Sequence, residues 1–258
     1  GFSSITLYDD RLYLFGSLEM RAVSSDSFTQ LSALQSSRQD ELILLGQQSW
    51  RKISIPVVNN VAYLYGSIGE QEYIVQFDVS DPANIVELDR LPLRSGLRVV
   101  DIDATEDWLV VSLDSVVESS RDSLVLYDLT GEAPSILAEI EVTSAPTEIQ
   151  IGDNILLAGS GVLANQTDGI LESYSLPTLA LLGQAQIPHI HEIFLLEDFA
   201  LITMSQDSRL LAVELDDPAN LQVAGIFDLP DDEGEIAVSG DFIVVGNEEM
   251  GLFVLRAE

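Results

Sequence analysis

Cysteine is absent from the 258-residue chain, and lysine occurs once, as Lys52. Without cysteine there can be no disulfide, thiolate nucleophile, thiolate zinc site or iron–sulfur cluster, so only oxygen and imidazole ligands remain for a metal. No uninterrupted apolar run approaches the roughly 18 residues that a membrane span needs. The N-terminal residues Gly1–Ser4 show neither a basic nor an apolar signal-peptide region. We therefore expect a soluble chain without a transmembrane segment.

Positive charge is also scarce. The chain has 11 Lys and Arg residues against 43 Asp and Glu residues, which gives a formal net charge of −32 at pH 7. Such a field repels nucleic-acid phosphates and anionic lipid head groups, so the charge argues against nucleic acids and acidic membranes as partners. High charge can accompany disorder, but 47% of the residues are hydrophobic, which is enough to build a core. The composition predicts a compact and very acidic globular protein.

A two-residue polar turn followed by an apolar strand recurs six times. The second turn residue stands at positions 10, 60, 107, 154, 198 and 241, so the repeat length is 43 to 50 residues, typical of a four-stranded propeller blade. Five positions before each turn residue there is an isoleucine: Ile5, Ile55, Ile102, Ile149, Ile193 and Ile236. Because isoleucine is β-branched and apolar, we place these six residues on the inner strand of each blade and expect them to be buried.

Two further apolar runs follow most of these strand pairs, so each repeat is a β-meander. The pattern predicts an all-β fold, a six-bladed β-propeller of four-stranded antiparallel blades in one domain over residues 1–258. The predicted blades are approximately 1–49, 50–93, 94–143, 144–187, 188–230 and 231–258. The sixth repeat stops at its third strand. We expect the last blade to lack its outer strand, leaving an edge for a strand donated by residues outside this chain or by a neighbouring chain.

The first repeat contains a predicted insertion over residues 24–40. Phe28, Leu31 and Leu34 have the spacing of one helix face and follow Ser27, which can cap a helix. The sequence therefore predicts a short helix in the insertion, with the fourth strand of this blade at Glu41–Gln47.

A recurring motif follows the third strand of two repeats. It reads Asp78-Val79-Ser80-Asp81-Pro82-Ala83-Asn84 in the second repeat, and Asp217-Pro218-Ala219-Asn220 returns in the fifth. This motif resembles the signature of the LVIVD-repeat β-propeller proteins. The resemblance spans repeats two to six and is weakest in the fourth, where Ser175-Leu176-Pro177-Thr178 replaces the motif. It implies a structural turn without a catalytic residue, and a bacterial or archaeal protein that is extracellular, periplasmic or on the cell surface.

Acidic residues precede four of the six repeated isoleucines: Asp101, Glu148, Glu192 and Glu235. Because side chains alternate along a strand, these carboxylates are expected to point away from the packed isoleucines and into a central channel. Carboxylates around one axis repel each other and favour a hard cation, so Ca²⁺ or Mg²⁺ is the candidate cofactor. In a chain that is acidic throughout, a solvated acidic tunnel explains the same pattern.

The only histidines, His189 and His191, lie two residues apart beside Glu192. On a strand they share a face and could present two imidazoles to Zn²⁺, Ni²⁺ or Cu²⁺, with a third ligand from Glu148 or Glu235. The alternative is a pair of surface histidines in the loop that enters the fifth blade. A phosphate loop, a dinucleotide fingerprint and a nucleophile elbow are all absent from the sequence, so no catalytic residue is assigned.

The few basic residues cluster before two adjacent blades. Trp50, Arg51 and Lys52 precede the second blade, and Arg94 and Arg98 precede the third. Tryptophan and arginine are enriched in binding hot spots, so these five residues are candidates for partner binding, although they equally fit pairing with the surrounding acids.

Taken with the fold, these patterns predict a non-catalytic binding or scaffolding propeller, secreted or at the cell surface, that recognises a protein or small ligand at the channel mouth. The alternative from another class is a metal-dependent hydrolase of the lactonase kind, with a divalent cation in the central channel.

Overall fold

The computed structural model of the chain describes residues 2–8, 11–16, 19–24, 30–35, 43–44, 47–48, 51–52, 55–68, 71–116, 121–160, 169–204, 207–229, 235–239, 242–247 and 251–256. Every regular element among these residues is a β-strand, which agrees with the predicted all-β fold class. No helix in this part of the chain has the length and apolar character that a membrane crossing requires. The chain divides into two compact units, Gly1–Ala145 and Pro146–Glu258.

The first unit contains three main antiparallel sheets among the described residues. The first sheet has the order β1 (Phe2–Tyr8), β2 (Arg11–Gly16), β3 (Glu19–Ser24) and β4 (Gln30–Gln35). After it come the short strands β5 (Ile43–Leu44), β6 (Gln47–Gln48), β7 (Arg51–Lys52) and β8 (Val57–Val58). The second sheet pairs β9 (Val61–Ile68), β10 (Gln71–Asp78) and β11 (Val86–Pro92), and the third has the order β12 (Leu97–Ala104), β13 (Trp108–Ser115), β14 (Ser123–Asp128) and β15 (Ser135–Glu141).

The second unit continues the same meander. Its first sheet has the order β16 (Glu148–Ile151), β17 (Ile155–Ser160), β18 (Ile170–Ser175) and β19 (Ala180–Gln186). The next has the order β20 (Ile190–Leu195), β21 (Phe199–Met204), β22 (Arg209–Glu214) and β23 (Gln222–Asp228). In the described residues the last sheet has three strands, β24 (Glu235–Ser239), β25 (Phe242–Asn247) and β26 (Gly251–Arg256), where the sequence predicted three. The number of blades and the domain and blade boundaries stay predictions.

The predicted insertion over residues 24–40 contains a strand instead of a helix. β4 pairs antiparallel with β3, with Arg21 opposite Ala33 and Met20 opposite Leu34. It therefore supplies the fourth strand that the sequence analysis placed at Glu41–Gln47. The helix prediction is wrong because the free edge of β3 offers backbone hydrogen bonds to this segment, and this tertiary pairing overrides the local apolar spacing.

The inner edge of the second sheet is divided between two short strands. Val57 and Val58 of β8 pair with one end of β9, and Ile43 and Leu44 of β5 pair with its other end. Pro56 has no amide hydrogen for the ladder, and its carbonyl accepts a hydrogen bond from the Tyr63 amide at 3.1 Å. The remaining short strands, β6 and β7, form a separate two-stranded ribbon.

The repeated isoleucines lie in the core. Ile102, Ile149, Ile193 and Ile236 lie on the first strand of their sheets, and Ile55 precedes β8. All five side chains are 7% exposed or less, which confirms the prediction that they are buried. Ile5 lies on β1, and its side chain is outside the described part of the structure.

The repeated turn residue has a structural task in four sheets. Its carbonyl accepts a hydrogen bond from the amide that follows the third strand, at 2.9 to 3.1 Å. The donor and acceptor pairs are Val79 and Asn60, Leu129 and Asp107, Leu176 and Asn154, and Leu215 and Asp198. The turn after the first strand is thus tied by the main chain to the turn after the third in each of these four sheets.

Candidate functional site

One end of the third sheet brings together several charged side chains. β12 and β14 begin at this end, and β13 and β15 finish there, as the pairs Leu97–Ser115 and Ser123–Glu141 show. Residues 94–98, 114–116, 121–123 and 139–145 therefore lie near one another. We call this end of the sheet the loop edge.

Three arginines at the loop edge each form an ion pair with an acid of the same sheet. Arg94 pairs with Glu139, Arg98 with Asp114, and Arg121 with Glu141. The arginines at 94 and 121 are 66% and 74% exposed, so these pairs are open to solvent. Exposed pairs of this kind contribute only about 0–1 kcal/mol to stability, and exchanging one partner for another group costs little.

The structure places the predicted partner-binding residues in different surroundings. Arg94 and Arg98 are paired with acids, which agrees with the second interpretation offered for them. Arg51 and Lys52 lie on β7, but their side chains are outside the described part of the structure, as is the whole of Trp50. Partner binding by these residues stays a prediction.

Arg98 also acts on Glu72 of the second sheet. Burial of the half-buried Glu72 raises the pKa of its carboxyl group, while the neighbouring Tyr65 hydroxyl and the positive charge of Arg98 both lower it. The burial effect is the largest. Beside it, the Gln71 side chain donates to the carbonyl oxygens of Leu93 at 2.7 Å and of Glu72 at 3.0 Å. These contacts fix the connection between the second and third sheets next to the loop edge.

A surface cavity of about 430 Å³ opens at the loop edge. Its lining consists of Arg121, Asp122, Glu141, Val142 and Thr143. The Asp122 carboxylate accepts hydrogen bonds from the amides of Ser115 at 2.9 Å and Ala145 at 2.8 Å, so it holds the walls of the cavity in place. The charged groups left to meet a ligand are the Arg121 guanidinium and the Glu141 carboxylate, whose ion pair measures 2.9 Å.

Arg121 was not among the residues singled out from the sequence. The basic residues predicted to bind a partner precede the first strands of two blades, whereas Arg121 precedes a third strand, β14. The signal that was available is the scarcity of basic residues itself. Nine of the eleven lie within residues 1–145, and three of these nine are the arginines of the loop edge.

The four predicted channel carboxylates have different environments. Asp101, in the first unit, is buried on β12, and Glu148, in the second unit, is half-buried on β16. Glu192 accepts a hydrogen bond from the Ile236 amide at 2.6 Å, so its carboxylate ties β20 to the first strand of the next sheet. Glu235 lies on that strand, with its side chain outside the described part. The contact of Glu192 with the Ile236 amide gives this carboxylate a structural role.

The two histidines do not share a strand face. His189 lies in the turn before β20 with φ of 55°, and His191 is the extra residue of a β-bulge, because the pairing register shifts between Ile190 and Glu192. The premise that positions i and i+2 align is therefore wrong here. The Nδ1 atoms of both side chains are buried and have no hydrogen-bond partner among the described residues.

Within the described ranges, no three His, Asp or Glu side chains are grouped so that they could hold a metal ion. The side chain of Glu235 lies outside the described part of the structure. The Ca²⁺ or Mg²⁺ site and the histidine site stay predictions. Elemental analysis of protein purified without a chelator tests both.

Comparison with protein-family models and with curated proteins gives no match. Solved structures do match. A chain of a mitotic checkpoint complex has a TM-score of 0.69 at 13% identity, over 99% of this chain and 76% of the other. The Neurospora crassa Pan2 WD40 domain scores 0.67 at 9% identity, over 98% and 74%. The Myceliophteria thermophila Cps50 (Swd1) β-propeller domain scores 0.67 at 14% identity, over 99% and 82%.

At these identities the similarity is one of fold. The chain has a β-propeller fold, and the fold class predicted from the repeats is confirmed.

Proposed function

We propose that the chain is a non-catalytic β-propeller module that binds a protein partner at the loop edge of the third sheet. The observation that carries the proposal is the cavity of about 430 Å³ with the exposed Arg121–Glu141 pair in its wall. Its volume is within the range of about 300–1,000 Å³ that is usual for ligand pockets. The WD40 fold of one structural neighbour and the multiprotein complex that contains another support a scaffold role.

The chemistry of the loop edge suits a short peptide segment of the partner. A guanidinium presents a planar set of donors that matches a carboxylate, so Arg121 can exchange Glu141 for an acidic side chain of the partner. Glu141 is then able to accept a basic side chain. Arg94 and Glu139 offer a second pair of the same kind, and its arginine is 66% exposed. We expect the preferred peptides to carry both an acidic and a basic residue.

The turn motif supports membership of the LVIVD-repeat propellers as part of this proposal. Asp81 caps the turn by accepting a hydrogen bond from the Ala83 amide at 3.0 Å, and Asp217 accepts one from the Ala219 amide at 3.2 Å. Ser80 donates to Asp78 and thereby lowers the pKa of that carboxyl. The motif thus has the structural task that the resemblance implies. With the family we propose an extracellular, periplasmic or cell-surface location.

Peptide selection tests the binding site. Peptides selected from a random library on the immobilised chain are expected to bind Arg121→Ala about tenfold more weakly than the unmodified protein, which corresponds to about 1.4 kcal/mol. The measurement is the dissociation constant of each peptide by calorimetry. Arg90→Ala is the matched control, because Arg90 pairs with Glu87 on the outer strand β11, outside the loop edge.

If the selected peptides bound Arg121→Ala and Arg90→Ala equally weakly, the loss of affinity would come from the change in net charge. That result would contradict the proposed binding site at the loop edge. A selection that enriches no binding peptide would contradict the proposed function itself.

A further inference from the structure

The outer strand of the sheet β20–β23 has an apolar, uncharged centre. β23 contains the run Val223-Ala224-Gly225-Ile226-Phe227, and within the described ranges it pairs only with β22, so its other edge is open. Natural edge strands are commonly protected from further pairing by charged residues. The outer strands of the first unit have such charges: Glu87, Asp89 and Arg90 on β11, and Glu139 and Glu141 on β15. β23 lacks this protection along its centre.

Ile226 occupies a position that is polar in the equivalent sheets. The line of opposite residues that starts at Ile193 on the first strand ends at Ile226 on the fourth. The same line ends at Glu139 in the third sheet and at Gln184 in the sheet β16–β19. All three end residues are exposed, and Ile226 is 61% exposed. Exposure is therefore usual at this position, and the apolar side chain is what distinguishes β23.

The exposed apolar side chains of β23 lie on both faces of its sheet. Ile226 is opposite Leu211 and Phe227 is opposite Leu210, and the two leucines belong to separate hydrophobic clusters. Successive residues of a strand point to opposite faces, so Ile226 and Phe227, which is 44% exposed, lie on different faces. A helix against one face would cover only one of them. A strand added to the edge places side chains beside both.

Acidic residues lie at both ends of β23. Glu214, Asp216 and Asp217 are exposed where the chain turns into the strand. At the other end Asp228 is 89% exposed, and Arg209 is shared between Asp228 at 3.7 Å and Asp207 at 3.8 Å. Residues 146–258 contain 20 acids and two bases in all. This field attracts lysine and arginine and repels a second copy of the acidic chain.

We propose that the open edge of β23 is a docking edge for an extended segment of a partner polypeptide that has apolar residues at its centre and basic residues at its ends. Main-chain hydrogen bonds to β23 provide the binding, apolar side chains cover Ile226 and Phe227, and the basic ends meet the acids. The docking edge belongs to the second unit, so the proposal does not depend on the function proposed for the loop edge.

The probe is a synthetic peptide with the central sequence Val-Val-Thr-Thr-Val-Val and two lysines at each end, which presents valines on both faces of a strand. We expect it to bind the 258-residue chain about tenfold more tightly than the same peptide with glutamates in place of the lysines. The difference is expected to shrink in about 1 M sodium chloride, because salt screens the charges. Calorimetry measures both dissociation constants. Equal affinities of the two peptides at low salt would overturn the proposal.

Hydrogen exchange locates the bound peptide. We expect the lysine peptide to slow exchange of those amides in Gln222–Asp228 that are not bonded to β22. Amides in Val86–Pro92 are the internal control, because β11 is an outer strand with charged residues and is expected to show no change. Protection confined to strands other than β23 would contradict the docking edge. Protection of β23 in the natural full-length protein without peptide would also contradict it, because the edge would then be covered by the same polypeptide.

Two substitutions of equal chemistry test the role of the apolar centre. Ile226→Gln gives β23 the residue that stands at the same position in the sheet β16–β19, and it is expected to weaken binding of the lysine peptide about tenfold. Ile136→Gln on β15 is the matched control, since Ile136 is also 61% exposed, and it is expected to leave binding unchanged. Both variants are expected to keep the unfolding midpoint, because neither side chain is buried. Equal effects of the two on binding would overturn the proposal.

Discussion

Replacing Ile149 by alanine is expected to lower the free energy of unfolding by about 2–5 kcal/mol. Ile149 lies on β16 with 0% exposure, opposite Ala158 of β17. Alanine removes three carbon atoms from this site, and the small neighbour on the paired strand cannot fill the space. The loss therefore combines the transfer free energy of the missing groups with the cost of a cavity. Chemical denaturation followed by far-ultraviolet circular dichroism measures it.

The matched control is Ile226→Ala on the outer strand β23 of the same unit. Ile226 is 61% exposed, so the same change of residue removes little buried surface there. Surface substitutions of this kind usually change stability by less than about 0.5 kcal/mol. Equal shifts of the denaturation midpoint in the two variants would refute the assignment of the repeated isoleucine to a packed inner position.

The propeller fold was predictable because its determinants are local and repeat. The isoleucine and the polar turn lie five residues apart in every repeat, and the structure uses both within one sheet. Ile102 is buried on β12, and the carbonyl of Asp107 accepts the hydrogen bond of Leu129 at 2.9 Å. Six copies of one local arrangement make the period visible in a single sequence.

The first repeat was misread because its structure depends on distant partners. Phe28, Leu31 and Leu34 have the spacing of a helix face. A segment of this length nevertheless takes the conformation in which its backbone N–H and C=O groups are hydrogen-bonded. The edge of β3 provides them for β4. Likewise, Ile43 and Leu44 were assigned to the first blade, yet they pair with Ser67 and Gly66. Neither pairing can be predicted from the residues of the segment alone.

The site was predictable only in part for a similar reason. Alternation along a strand predicted that His189 and His191 share one face, but His189 lies in a turn and His191 at a bulge, so the alternation of a regular strand does not apply to them. A bulge adds a residue without an obvious sequence signal. The loop-edge cavity combines Arg121 with Glu141, residues on different strands, and their proximity follows from the register of β14 and β15.

Replacing Gly183 by alanine is expected to destabilise the second unit by about 1–3 kcal/mol. A Cβ atom at Gly183 would lie 2.5 Å from the carbonyl oxygen of Pro218, and 2.7 Å from the carbonyl carbon and oxygen of Ala219. These are backbone atoms of the turn 217–220 in the next sheet, so no side-chain rotation can make room. The same turn is held by Ser173, whose hydroxyl donates to the Pro218 carbonyl at 2.6 Å. The turn would have to move away from β19 and lose this hydrogen bond.

Gly225→Ala is the matched control for this substitution. Gly183 lies opposite Ser173 on the fourth strand of its sheet, and Gly225 lies opposite Ala212 at the same register position in the following sheet. Among the described residues, a Cβ atom there would meet only the Cβ of Ala212, at 3.8 Å, which is ordinary contact. Alanine at this position restricts the unfolded chain without strain, so a neutral effect or a gain of about 0.4–1 kcal/mol is expected. Thermal unfolding of both variants measures the difference. If Gly183→Ala were as stable as Gly225→Ala, the turn with the repeated Asp-Pro-Ala-Asn motif would not be seated on β19, and the motif would have lost its structural explanation in this sheet.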